Sequence, residues 1–425
     1  MNTTVSSTVA VGPRAPAPEA RGVRRRAQRA GERPLGTPAI SSSPAAQQPD
    51  RVERRTLRSD QRRLLWKVSS LARVRDCGRI THISGAGPTL RLSKTDDGVS
   101  VAGYAGLVSC GSVWSCPTCA AKIGNERAGE IKDLVRAVDS AGGGAGLITL
   151  TLRHHRGHRL DEAWGALRHA WSRVTSGKTY MAEVTRFGID GWACAVEVTH
   201  GADHGWHPHA HVLVIFDRPV SDETVETLAG RWWLRWSRAL ARKGFDAIAD
   251  RGGLDARQVR LDPEAGAVLG GYLSKIAREV TGGHTKTGRL GNRTPFHILD
   301  DALTIGLVDD FDLWSEWEQA SRGRRQLTWS RGLRDRYGVR HERSDDEIAA
   351  DDDLASDDLV ALPAETWREV RPVAEDLLTV AEREGLPGVV RWLDARGLGW
   401  MWATRAPRRD RGRVNGRSAT HPVSQ

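Results

Sequence analysis

The stretch Trp206-His207-Pro208-His209-Ala210-His211-Val212-Leu213-Val214-Ile215-Phe216 limits what this chain can fold into more than any other. Its second half is apolar and β-branched, which predicts a buried strand over 209–216. Side chains at i and i+2 of a strand point to one face, about 7 Å apart, so His209 and His211 project together. Two imidazoles fixed side by side on a rigid element form a platform for a divalent metal. The plainer account of any single H-x-H is a polar strand end with no ligand. The apolar character of both faces implies a sheet covered on both sides.

Upstream, Trp192-Ala193-Cys194-Ala195-Val196-Glu197-Val198-Thr199 is a second strand-like run, and the two runs predict a hairpin. Cys194, Val196 and Val198 make its apolar face, while Glu197 shares the other face with Ala195 and Thr199. A carboxylate on an apolar strand needs a partner, and a metal held by the neighbouring strand supplies one; a surface-facing Glu197 is the alternative. Further along, Asp262-Pro263 reads as a helix start, with Tyr272 and Lys275 as i, i+3 neighbours on one face and Gly282-Gly283 as its stop. A tyrosine with its ordinary pKa near 10 is a weak nucleophile unless a cation stands beside it or a metal polarises the atom it attacks. A core tyrosine and a solvated lysine are the other possibility. The chain has four tyrosines, and lysine fills only eight of 63 Lys+Arg positions, so a lysine here is less readily dismissed as surface charge. Gly146-Leu147-Ile148-Thr149-Leu150-Thr151-Leu152 is an alternating strand that by itself signals only a sheet.

In this order, the LITLT strand, the glutamate strand, HPHAHVLV and YLSK resemble the motifs of HUH endonucleases, the single-tyrosine initiators of rolling-circle plasmid replication of Gram-positive and actinobacterial type. The resemblance covers about residues 77–335 and includes Thr294-Pro295-Phe296 and the segment from Trp317 to Leu333. It implies His209 and His211 as metal ligands with Glu197 as the third, Mg²⁺ or Mn²⁺ as the ion, Tyr272 as the nucleophile and Lys275 as its basic neighbour. It also implies a DNA partner, as a single-stranded or hairpin origin, and a host helicase and polymerase. Related initiators carry a glutamate one turn before the tyrosine; here that position is Val268, with Glu264 and Glu279 the nearest carboxylates. Conjugative relaxases and single-strand transposases share this chemistry. Relaxases cluster three histidines, which His207 would permit, but no Gly-x-x-x-x-Gly-Lys-Ser/Thr loop of a helicase is present. A non-enzymatic, zinc-containing DNA-binding regulator, with Tyr272 as packing, is the rival from another class.

Cys110, Cys116 and Cys119 fall within ten residues, and Cys77 lies upstream. Cys116-Pro-Thr-Cys119 is a thiolate knuckle, and with Cys110 and Cys77 it can close a tetrahedral structural Zn²⁺ site, His82 being a possible substitute for Cys77. A redox Cys-x-x-Cys would want a βαβ context that is missing. Cys194, inside a strand, reads as an inert core thiol.

The net charge of +10 and pI near 9.8 suit a polyanionic partner. Arginines 231, 235, 238 and 242 form a stripe on a helix capped by Ser221, and the Arg153–Arg159 loop holds three histidines; either can face DNA or water. No apolar run of membrane-spanning length or signal-peptide type is seen, so a cytoplasmic protein without membrane contact is expected. The expected fold class is α+β, an antiparallel sheet with helices packed on it as in HUH endonucleases, plus a small cysteine-rich zinc subdomain and a short helical C-terminal module. The expected units are a disordered basic arm over 1–60, the zinc subdomain over 61–140, the nuclease domain over 141–340, an acidic linker over 341–358, the helical module over 359–403 and a disordered basic tail over 404–425.

Overall fold

The structure, a computed structural model, describes residues 51–83, 85–95, 98–259, 292–351 and 356–403. The chain forms α1 (Arg51–Val68), α2 (Ala72–Asp76), β1 (Thr89–Lys94), β2 (Ser100–Ala105), α3 (Pro117–Ser140), β3 (Gly144–Thr151), α4 (Leu160–Val174), α5 (Gly177–Phe187), β4 (Ile189–Gly201), β5 (Gly205–Phe216), α6 (Asp222–Ala241) and β6 (Leu254–Val259). On the far side of 260–291 lie α7 (Pro295–Thr304), α8 (Val308–Ser321), β7 (Leu327–Trp329), α9 (Leu333–Arg336), α10 (Asp345–Ala350), β8 (Asp357–Ala361), α11 (Ala364–Val370), α12 (Ala374–Asp394) and β9 (Met401–Trp402).

The expected α+β class holds. A five-stranded antiparallel sheet has the order β6-β3-β5-β4-β7, with the histidine strand β5 at its centre. Alternation along β5 sends Ala210, Val212, Val214 and Phe216 to one face, into a core with Trp164 and Leu167 of α4 and Trp232 and Trp236 of α6. Leu213 and Ile215 face the other way, with Ala193 and Ala195 of β4, against Ile131, Leu134 and Val135 of α3. Both faces are covered, as the apolar run requires. Close packing of α6 depends on Gly146: a Cβ there would stand 2.8 Å from the Val225 methyls. Helix α6 starts where Ser221 accepts a bond from the Thr224 amide. Helix α4 begins at Leu160, whose amide is satisfied by Glu316 of α8 at 2.9 Å.

The second sheet corrects two expected boundaries. Its order is β2-β1-β8-β9, so the hairpin between Cys77 and Cys110 joins strands from the far end of the chain. Leu90, Ala102, Val360, Trp367, Leu377 and Leu393 share one core, so the C-terminal module is built on the hairpin and is not an all-helical unit by itself. Helix α1 already begins at Arg51, inside the stretch expected to be a disordered arm, because α12 offers carboxylates to its arginines: Arg51 and Arg55 reach Glu382 at 2.5 and 2.6 Å, and Arg55 reaches Glu375 at 2.7 Å. The acidic segment 341–358 likewise contains a packed helix, α10. Ser344 and Glu347 form a capping box, and Ile348 and Ala349 are buried. Among the described residues no helix is long and apolar enough to cross a membrane.

Candidate metal centres

Among the described residues two groups of side chains converge tightly enough to hold an ion. In the first, β4 and β5 place Glu197 directly opposite His209, with His211 one pleat further along the same face. One carboxylate oxygen of Glu197 lies 3.3 Å from Nε2 of His209 and 3.1 Å from Nε2 of His211. Glu197 and His211 are buried, at 7% and 9% exposure, so the surface-facing alternative for Glu197 does not hold. The spacings can be compared with coordination geometry. Bonds of about 2.1 Å put adjacent donors about 3.0 Å apart on an octahedron and about 3.4 Å apart on a tetrahedron. The two Glu197 spacings fall in that interval, so the residues fit a small divalent cation. Two imidazoles and one carboxylate suit Mn²⁺ better than Mg²⁺, which prefers oxygen donors.

Strand β3 contributes a partner that the sequence pattern did not reveal. Thr149 faces His211 across the β3–β5 ladder, and its Oγ1 lies 3.0 Å from Nδ1 of His211. The Nδ1 of His209 is buried with no hydrogen-bond partner among the described residues. His207 does not join the converging group. Its ring stacks on His154 with centroids 4.4 Å apart, and burial, then the neighbouring His209 and His154, push its pKa down to about 3. The three-histidine arrangement left open by the sequence is therefore not what these residues form; the converging trio is Glu197, His209 and His211.

The second group is Cys77, Cys110, Cys116 and Cys119, all buried. Cys77 leads in from α2 and Cys110 follows the β1–β2 hairpin, while Cys116 and Cys119 flank the start of α3. Sulfur–sulfur distances are 3.7 Å for Cys77–Cys116 and 3.6 Å for Cys77–Cys119 and Cys110–Cys119. Four thiolates at the usual zinc–sulfur bond of about 2.3 Å stand about 3.8 Å apart on a tetrahedron. The group fits a closed zinc site, with Cys77 and not His82 as its fourth member. Hydrogen bonds within the cluster hold the Cys119 thiol well below its ordinary pKa and push those of Cys110 and Cys116 up, so the four thiols share their protons unequally. Cys194 stands apart, its pKa pushed up to about 12 by burial, as an inert core thiol should be.

A cluster of tryptophans links the two groups. Trp317 of α8 packs against Trp114 of the cysteine loop, Trp164 of α4 and Trp206 at the entry to β5, with ring centroids 5.5, 5.8 and 5.8 Å away. Trp317 Nε1 donates to the Trp114 carbonyl at 2.9 Å, and Trp206 Nε1 donates to Glu316 at 2.9 Å. Val113, Trp114, Phe296, Trp317 and Gln326 wall a small cavity that Glu197 also lines. The arginine stripe divides in two. Arg231 and Arg235 are bound to the fully buried Glu183 at 2.9 and 2.5 Å, and only Arg238 and Arg242 remain exposed. Tyr272 and Lys275, together with Val268, Glu264 and Glu279, lie outside the described residues.

A family model described as "Replication protein" matches residues 108–370. The protein named "Protein rep" from Streptomyces lividans is 30% identical over 365 residues, covering 70% of this chain and 79% of that protein. A protein named "Neomycin resistance protein" from Streptomyces cyanogenus is 31% identical over 148 residues, covering 29% of this chain and 33% of that protein. No solved structure matches.

Proposed function

The chain belongs to the replication-protein family, and from that premise we propose that it starts rolling-circle replication of a plasmid by nicking one DNA strand at an origin and later rejoining it. The observation that carries this reading is the convergence of Glu197, His209 and His211 on one face of the central strands, at spacings that fit a divalent cation. A cation held there would polarise a scissile phosphate and stabilise the charge that develops on it. The Glu197 carboxylate would balance part of the ion's charge, and the two imidazoles would fix where the phosphate can sit.

Tyr272 is the proposed nucleophile. Its phenolic oxygen, having given up its proton, bonds to phosphorus as the bond to the 3′ oxygen breaks. The products are a 5′-phosphotyrosine and, after protonation, a free 3′-OH able to prime synthesis. Lys275 favours the phenolate or neutralises the phosphate. The phosphotyrosine conserves the energy of the phosphodiester, so rejoining needs no ATP. The strand to be cut has to be unpaired to reach such a centre, which points to an extruded hairpin or a melted origin as substrate. The host helicase and polymerase would act on the primed product. The cysteine group is assigned to structural Zn²⁺, which would fix the loop bearing Trp114 against α8.

The test is to incubate full-length protein with single-stranded oligonucleotides tiling its replicon, with and without Mn²⁺, and to look for a covalent adduct on a denaturing gel. Mass spectrometry should place the adduct on Tyr272, and Tyr272→Phe should abolish it while DNA binding is retained. An adduct on another tyrosine would keep the chemistry and replace the nucleophile. Origin binding with no adduct under any metal would favour the zinc-containing regulator.

A further inference from the structure

We propose that Thr149 is a positioning residue that sets the ring orientation and tautomer of His211, so that its Nε2 lone pair is presented to the cation. This rests on the metal reading given above. Both ring nitrogens of His211 are engaged, Nδ1 with Thr149 Oγ1 at 3.0 Å and Nε2 with Glu197 at 3.1 Å. A neutral imidazole carries one proton, and the partner of one nitrogen decides what the other can do.

A hydroxyl matters here because it both donates and accepts. With no cation bound, Nε2–H donates to Glu197 and Nδ1 accepts from the threonine hydroxyl. With a cation on Nε2 the proton has to reside on Nδ1, and the same hydroxyl then accepts a hydrogen bond from Nδ1–H. A carbonyl or carboxylate at this position could serve only the second state. Thr149 therefore keeps the ring in place through loading and release without a rearrangement of the strand. Its placement follows from register: Thr149 is the residue directly opposite His211, on a sheet face that also carries Leu147 and Ala145. His209 has no such support. Thr151 lies opposite it, yet Nδ1 of His209 has no hydrogen-bond partner among the described residues. Among the described residues the two imidazoles are thus unequal, one held at both nitrogens and the other through Nε2.

The experiment is a titration of the full-length protein with Mn²⁺, following free Mn²⁺ by EPR, for wild type, Thr149→Val and Thr149→Ser. Valine keeps the shape of threonine and removes the hydroxyl; serine keeps the hydroxyl and removes the methyl. Outer partners of metal-bound histidines are worth about 10- to 100-fold in affinity, so Thr149→Val should raise the Mn²⁺ dissociation constant by that factor and Thr149→Ser by less than about threefold. Nicking by Thr149→Val should need correspondingly more Mn²⁺ for half-maximal rate and recover at saturation. A packing role would give the reverse order, with valine tolerated and serine not. Wild-type Mn²⁺ affinity in Thr149→Val, beside lost affinity in His209→Ala and Glu197→Gln, would overturn the role of Thr149 and leave the metal reading intact. Unchanged affinity in all three would overturn both.

Discussion

Removing the ring of Trp317 should weaken the whole region between the two candidate metal centres. Trp317 is 2% exposed and touches three other tryptophans, and its N–H satisfies the Trp114 carbonyl. Truncating a buried tryptophan to alanine costs about 3–5 kcal/mol. Three aromatic partners, each worth about 0.5–1.5 kcal/mol beyond area, and a carbonyl left without its donor put Trp317→Ala at the upper end of that range. Trp317→Phe keeps most of the apolar contact and loses the hydrogen bond, so it should cost about 2 kcal/mol. Urea unfolding followed by far-UV circular dichroism measures both variants. A loss near 5 kcal/mol moves the midpoint down by roughly 1.7 M for a slope of about 3 kcal/mol/M. The location makes a second, sharper demand. Trp114 sits in the cysteine loop, so Trp317→Ala should release zinc to a chromogenic chelator faster than wild type. A shift under about 1 kcal/mol together with an unchanged release rate would refute the view that this cluster couples the two centres.

Glu197→Gln keeps the volume of the side chain and removes its charge, so Mn²⁺ affinity in the same titration should fall by more than the ~100-fold upper limit for outer partners, with little change in melting temperature. Cys119→Ser should lower zinc from about one ion per chain to none by elemental analysis, and reduce the yield of folded protein. Burial, with the nearby Arg293, holds the His200 pKa down at about 4 against an ordinary 6.5, so the unfolded chain takes up this proton first as the pH drops. Stability should therefore be flat above pH 6.5 and decline between 6.5 and 4, and urea midpoints across that window should decline less in His200→Gln. A steeper decline in the variant would contradict the assignment.

The part of the candidate site carried by two adjacent strands was legible because period-2 alternation fixes which side chains share a face. Glu197, His209 and His211 follow from that rule and one hairpin. Thr149 does not, because its partner is set by the register of a strand 62 residues away, which no local pattern encodes. Residues 51–60 were misread for a related reason. An arginine-rich helix start resembles a solvated arm until Glu375 and Glu382, more than 300 positions later, come to face it. Arg231 and Arg235 were readable as a phosphate-facing stripe only while Glu183 was out of view. The second sheet is not legible in the sequence because its central pair joins Leu90 to Val360, while the hairpin half by itself resembles part of a cysteine-rich subdomain.

That central pair also sets a timetable for synthesis. A lone two-stranded hairpin is marginal in water, so β1 and β2 wait for β8 to complete their core. About 250 residues separate Ala105 from Val360, which at about 5–20 residues per second leaves an open strand edge for roughly 10–50 s on every nascent chain. A chain cut short before Asp357 never closes that edge, and its exposed backbone is a template for wrong pairing and a target for proteolysis. Pairing of β8 with β1 is thus a late step, open only to a chain that has been made at least as far as Ala361.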